Sequence, residues 1–301
     1  MHRARRNRLR GGAMSGKLGE IEARIGATHQ LEAVVGAMRA IAAARARDAH
    51  ARLAGIRACA AAAGAAIGDV LAFDPSSAST SATHADEGAE VCIVIGAEQG
   101  FVGGLNDRIA DEALRRPLAC PRHWLLVGTR LASACAERGM GEAWSVPMAA
   151  HPAAVPHLAA RVSDALYARL ADGERATRVT LTHALPGESR LRIVQRTLIP
   201  FDFARFEVTP RALPPLVNVA PARLLSGLVG LYVSFELCEA LMLAFAAENE
   251  ARVRAMLAAR TNVRQRLDTL SQQYRAMRQD EITSEIVELT TGREYAQRTR
   301  D

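Results

Sequence analysis

Four glycines, Gly96, Gly100, Gly103 and Gly104, follow the apolar run Val91-Cys92-Ile93-Val94-Ile95 and precede a helical pattern that reaches toward Arg116. A glycine-rich turn between a strand and a helix can present backbone N–H groups to phosphate, so this loop is the main candidate for ligand chemistry. Its spacing does not fit G-x-G-x-x-G, and no G-K-[ST] supplies a phosphate-binding lysine. Lys17 is the only lysine in the chain. The plainer reading is a structural turn at Gly100, Gly103, Gly104 and Asn106, with close strand–helix contact.

Other reactive residue types are scattered. His151 and His157 lack a helical metal-ligand spacing and have no carboxylate or cysteine cluster beside them, so they read as surface histidines. No G-x-S-x-G elbow and no Cys–His pairing is present. The acid pairs Glu236/Glu239 and Glu285/Glu288 sit at helical spacing, where a solvated or salt-bridged face is the ordinary explanation. No catalytic residue, cofactor or metal is expected. The arginines Arg252, Arg254, Arg260, Arg264, Arg266, Arg275 and Arg278 suit nucleic acid by charge. They lack interleaved aromatics, and a face that meets acidic protein surface explains them equally well.

The elements that must position these residues are dominated by two long helices. Leu18, Ile21, Ile25, Thr28, Val35, Met38 and Ala42 recur at coiled-coil spacing, as do Val263, Leu267, Leu270, Tyr274 and Met277 near the other end. Each set falls on one helical face, and neither can be buried by its own helix, so the economical solution packs the two helices antiparallel. The first runs from about Lys17 to Leu71, roughly 80 Å at 1.5 Å per residue. Between them, short apolar runs alternate with helical patterns, which implies an α/β layer fold. Strands are expected at 91–95, 124–127, 145–148, 179–182 and 191–198, with helices at 129–138 and 157–170. The chain divides into a basic extension 1–16, an N-terminal coiled-coil helix 17–72, a linker 73–89 and an α/β side domain 90–200. A proline-rich connector 201–221, a C-terminal coiled-coil helix 222–295 and a tail 296–301 complete it.

With 301 residues, 49% of them hydrophobic, the chain can bury a real core. Only 4% are aromatic, which with abundant alanine favours closely spaced helices over a base-stacking surface. The formal charge of +6 is mostly local, because Arg3, Arg5, Arg6, Arg8 and Arg10 precede Met14 without a compensating acid. Those residues lack the apolar stretch of a signal peptide, and Met14 offers an alternative start. Cys59, Cys92, Cys120, Cys135 and Cys238 form no C-x-x-C pair and read as reduced thiols of a cytoplasmic protein. The run Leu224–Ala247 is apolar enough to consider as a membrane span, but Glu236 and Glu239 near its centre point to a buried helix of a soluble protein. On these residues alone, a nucleotide-binding α/β enzyme and a basic coiled-coil nucleic-acid binder both stay open.

Longer motifs narrow the choice. The first helix carries Leu18-x-x-Ile21-x-x-Arg24-Ile25 and Ala37-Met38-Arg39-Ala40-Ile41-Ala42-Ala43. The loop reads Gly100-Phe101-Val102-Gly103-Gly104-Leu105-Asn106. The last helix holds Glu248-x-x-x-Arg252-x-x-Ala255-Met256-x-x-Ala259-x-Thr261-Asn262, then Tyr274-x-x-x-Arg278-Gln279-x-x-Ile282-Thr283-x-Glu285-Ile286. In order and spacing these motifs make the chain resemble the gamma subunit of F-type ATP synthases and ATPases, whose loop signature is G-L-C-G-G-[FL]-N. Gly36, Glu98-Gln99 and Val102 depart from the family pattern, as in a divergent branch such as the alternative F-type ATPases.

The resemblance implies a long antiparallel coiled coil with a Rossmann-like α/β side domain, serving as a central rotor in a hetero-oligomer. Its implied partners are the alpha and beta subunits, the epsilon subunit and the c-subunit ring, at the cytoplasmic face of the cell membrane. The implied role is non-catalytic: rotation couples ion flow through the membrane ring to ATP synthesis or hydrolysis elsewhere. Motif position makes Met38, Arg252, Arg278, Gln279, Thr283 and Glu285 the expected contacts, with the surrounding ring or between the two helices.

Overall fold

Val91, Ile93 and Ile95 alternate with Cys92 and Val94 along β1 (Ala89–Ile95), and all seven residues of the strand are buried. Burial on both faces is what a central strand of a parallel sheet requires, and it explains why β1 reads as a continuous apolar run. The computed structural model describes residues 2–74, 89–115, 121–141, 143–171, 176–187, 191–208 and 216–298. Two helices frame the chain, α1 (His2–Phe73) and α5 (Pro221–Arg298). Between them lie α2 (Leu105–Leu114), β2 (Arg122–Val127), α3 (Thr129–Glu137), β3 (Ala143–Val146), α4 (Val155–Ala171), β4 (Ala176–Leu185) and β5 (Arg192–Ile199). α1 begins before the expected Lys17, since alanine and arginine upstream favour helix.

The sheet order is β3-β2-β1-β4-β5. β1 pairs in parallel with β2 and β4, β2 in parallel with β3, and β5 runs antiparallel on the edge against β4. The chain forms two compact units, one of Met1–Ala40 with Met256–Asp301 and the other of Ile41–Ala255.

The larger unit has a core on each face of the sheet. On one face Val91, Ile93, Ile95, Leu125 and Leu181 meet Leu158, Val162 and Leu166 of α4 together with Leu237, Leu241 and Phe245 of α5 and Leu53 of α1. On the other, Cys92, Val94, Trp124 and Leu126 meet Leu105 and Ile109 of α2, Leu131 and Cys135 of α3, and Ala251 of α5. α1 and α5 are antiparallel within this unit: His50 Nε2 lies 2.9 Å from Glu250 Oε1, and Arg57 Nε donates to Glu239 Oε1 at 2.8 Å, so numbers rise on one helix as they fall on the other. The apolar run around Glu236 packs here, and Glu236 is itself buried and ion-paired with Arg205 at 2.9 Å. Glu236 and Glu239 are thus both salt-bridged, one of the two readings their spacing allows, with Glu236 buried as well.

In the smaller unit, Leu18, Ile21, Ile25, Thr28 and Met38 are half-buried and Val35 is buried, while most positions between them are exposed. Val263, Leu267 and Leu270 are buried on α5, and Tyr274 and Met277 are half-buried. This is the one-face burial that coiled-coil spacing demands. Glu32 of α1 accepts from Arg264 Nε at 2.9 Å and lies 3.6 Å from Arg260 Nε. Those two guanidiniums thus meet an acidic protein side chain.

Candidate functional site

The glycine loop does present its N–H groups to an anion, and the anion is the protein's own. Glu248 of α5 accepts from the backbone N–H of Glu98 at 3.2 Å and of Gln99 at 3.3 Å. The preceding N–H, that of Ala97, is taken by Asn106 Oδ1 at 2.8 Å. A helix side chain therefore takes the N–H groups of Glu98 and Gln99 that a phosphate would need.

Arg252, one turn further along α5, completes the arrangement. Its Nη2 donates to Glu248 Oε1 at 2.7 Å and approaches the carbonyl oxygens of Gly100 at 3.4 Å and Gln99 at 3.5 Å. Nη1 donates to Asn249 Oδ1 at 3.3 Å, and Asn249 Nδ2 donates to the carbonyl of Phe245 at 2.9 Å. Glu248, Asn249 and Arg252 are 4%, 2% and 5% exposed, so this is a buried pair whose charges depend on each other and on the loop. Carboxylate and guanidinium together clamp both polarities of the loop backbone, with N–H groups on Glu248 and carbonyls on Arg252.

Loop geometry follows from the same contacts. A Cβ at Gly96 would lie 2.7 Å from Asn106 Oδ1 and 2.8 Å from Leu131, so only glycine lets the strand end sit this close to α2 and α3. Gly103 and Gly104 adopt φ of 59° and 67°, the left-handed turn that opens into α2. Gly103 and Gly104 form the turn, Asn106 lies in the first turn of α2 with its side chain on Ala97, and the Gly100 carbonyl faces Arg252.

Glu98, two residues after Gly96, ties the loop outward. Its carboxylate accepts from Thr129 N at 2.9 Å, Thr129 Oγ1 at 2.6 Å and Met148 N at 2.9 Å, which supplies the cap that Gly128 cannot give to α3. Burial pushes this carboxyl up, but the donors from Thr129 and Met148 outweigh it and hold the group below the usual carboxylate range.

Among the other expected residues, Met38 is half-buried, while Arg278, Gln279, Thr283 and Glu285 are exposed on α5. Thr283 Oγ1 donates to the carbonyl of Gln279 at 2.8 Å. Ile282, Ile286 and Leu289 on the same stretch are exposed apolar side chains. His151 and His157 are exposed, as their spacing suggests. Cys92, Cys135 and Cys238 are buried, with burial pushing the Cys92 thiol up to about 12 and Cys135 to about 11, which leaves them unreactive. Sequence reasoning missed Glu248 and Glu98 as loop ligands. The signal available was the fixed spacing of Glu248 and Arg252 on one helix face.

A family model described as ATP synthase matches residues 17–294. Among curated proteins, the ATP synthase gamma chain of a Nitratiruptor species is 31% identical over 100 residues, 32% of this chain and 33% of its own length. That of a Sulfurovum species is 39% identical over 100 residues, again 32% of this chain and 34% of its own. These alignments span about a third of the relatives they match. A chain in the cryo-EM structure of the Euglena gracilis mitochondrial ATP synthase, OSCP/F1/c-ring in rotational state 3, superposes with a TM-score of 0.63 at 12% identity, covering 95% of this chain and 97% of that one. The likeness is one of fold.

Proposed function

This chain belongs to the ATP synthase gamma-chain family, and from that premise we propose that it is the central-stalk rotor subunit of an F-type ATP synthase or ATPase. The observation that carries the reading is that a single family model runs through both terminal helices and the α/β domain between them. The chain takes no catalytic part; it turns within a ring of alpha and beta subunits and is joined to the epsilon subunit and the c-subunit ring. In this reading residues 17–72 and 222–295 make the shaft and 90–200 the side domain, with 73–89 and 201–221 as connections. Through those partners it is a peripheral membrane component, at the cytoplasmic face of the cell membrane.

Rotation alters nucleotide affinity in the surrounding subunits only through differential contacts at each angle. Arg278, Gln279, Thr283 and Glu285, exposed beside the apolar Ile282, Ile286 and Leu289, are the contacts we assign to the ring, with Met38 contributing from α1. A planar guanidinium such as that of Arg278 suits an acidic loop. Arg252 has a different assignment, since its donors are directed at Glu248 and the loop carbonyls. The nucleotide-binding enzyme reading is disfavoured because the N–H groups of Ala97, Glu98 and Gln99 already serve Asn106 and Glu248.

Co-expression with F-type alpha and beta subunits, followed by purification and an ATPase assay with and without this chain, tests the proposal. The expected result is a stoichiometric complex whose steady-state hydrolysis depends on the chain. A chain that stays alone and binds ATP or DNA by itself would overturn it.

A further inference from the structure

Toward its C-terminal end α1 buries Ile67, Val70 and Leu71, but between Ala42 and Ala63 its inward face is mostly alanine: Ala42, Ala46, Ala49 and Ala63 are buried, with Leu53 among them. Such shallow knobs fix the axial position of one helix against another only weakly, because a slip by one turn sets small side chains where small side chains were. A helix pair under load needs its register fixed by something more directional.

The segment that leaves β5 supplies it. Phe206 lies against α1 so closely that a Cβ at Gly64 would come 3.1 Å from its ring, and a Cβ at Gly68 would come 2.3 Å from the carbonyl oxygen of Glu207. Gly64 and Gly68, one turn apart, form a notch in which the segment sits. From the notch the segment reaches α5 through Arg205. Its guanidinium lies 4.6 Å from the ring centre of Tyr232, 5.1 Å from that of Phe201 and 5.2 Å from that of Phe206. The same group donates to the buried Glu236 at 2.9 Å. Phe201 stacks on Phe206 at 5.5 Å, and Tyr232 meets Phe206 edge-on at 5.1 Å. Arg196 of β5 adds a hydrogen bond to the Glu236 carbonyl at 3.2 Å.

We propose that residues 201–208 are a register lock for α1 against α5, with Arg205, Gly64 and Gly68 as positioning residues in torque transmission. The inference rests on the rotor reading above. Sliding α1 by a turn drives the Glu207 carbonyl out of the Gly68 notch and takes Gly64 away from Phe206, or drags the segment along and pulls Arg205 from Tyr232 and Glu236 on α5. A cation held by three rings and a carboxylate loses its geometry at once, because both interactions depend on direction and distance.

The test uses the complex of this chain with its alpha, beta and membrane-ring partners and reads ions pumped per ATP hydrolysed. Arg205→Ala and Gly68→Ala are expected to lower that ratio about threefold while hydrolysis stays within about twofold of wild type. Arg205→Lys, which keeps a cation over the rings, restores much of it. Gly55→Ala, on the same helix with nothing within 4 Å of its Cβ, matches wild type. Should Gly68→Ala fail to fold, as judged by its circular-dichroism melt, Arg205→Ala against Arg205→Lys decides. Wild-type pumping per ATP in Arg205→Ala would overturn the lock. Failure of the wild-type chain to form a complex would instead overturn the rotor reading, so the two failures are told apart.

Discussion

Arg252 and Arg278 lie on one helix and within one run of family-like sequence, and their surroundings differ completely. Arg252 is 5% exposed, with Glu248 at 2.7 Å and the carbonyls of Gln99 and Gly100 beneath it. Arg278 is exposed, and among the described residues no acidic side chain pairs with it. A buried guanidinium must be fully partnered inside the chain, because removing its hydration is too costly otherwise. An exposed one without an acidic neighbour keeps its donors for water or another molecule, whereas the exposed Arg57 and Arg264 pair within the chain. The comparison separates residues that shape the molecule from those available to a partner, a distinction that motif matching does not draw.

The sharpest way to break the comparison is to strip the clamp. Glu248→Ala leaves Arg252 buried without its carboxylate and orphans two loop N–H groups, so it should cost about 3–5 kcal/mol in denaturant unfolding. A loss below about 1 kcal/mol would show that the site is not held this way. Next in size is Gly96→Ala, which forces a Cβ against Asn106 and Leu131 and should cost about 1–3 kcal/mol. Gly100→Ala in the same loop meets nothing within 4 Å and should stay within about 0.5 kcal/mol.

A pH titration sharpens the same contrast. The Glu98 carboxyl is held low in the folded state, so the stability it contributes is fully present above its unfolded pKa, about 4.3, and is lost as pH falls through its lower folded value. Glu98→Gln should therefore flatten the acid limb of stability against pH, measured by thermal melts, while the lost charge-assisted hydrogen bonds lower stability at neutral pH. An acid limb identical to wild type would remove Glu98 from the loop's support. Smallest in stability is the double change Arg278→Ala with Gln279→Ala, expected within about 0.5 kcal/mol of wild type. Its effect should appear in the assembled complex as weaker coupling of hydrolysis to ion pumping. Unchanged pumping would exclude these two residues as ring contacts.

Much of the fold was legible because its signals are local. The stripe from Leu18 to Ala42 and that from Val263 to Met277 repeat every three or four residues, and the structure buries or half-buries those positions and exposes most of their neighbours. The apolar run 91–95 announced a strand, and the structure buries it on both faces. Strand limits were less legible: β4 extends over Ala176–Leu185 where the apolar run suggested 179–182, since pairing with β1 and β5 sets its length. For the pair Glu236/Glu239 the spacing left a solvated and a salt-bridged face open, because it reports which helix face a residue shares and not whether Arg205 will arrive from another segment to neutralise Glu236.

The sequence by itself determined the long helices, the strand–loop–helix unit and the family, since each is written in short-range periodicity or in residue identities at fixed spacing. Only the tertiary structure decided that the glycine loop is closed by Glu248, 150 positions further along the chain. It also decided that Arg252 serves the loop and that Gly64 and Gly68 make room for 206–207. Those are pairings between distant segments, and their free energy depends on burial and exact approach, which no local pattern encodes.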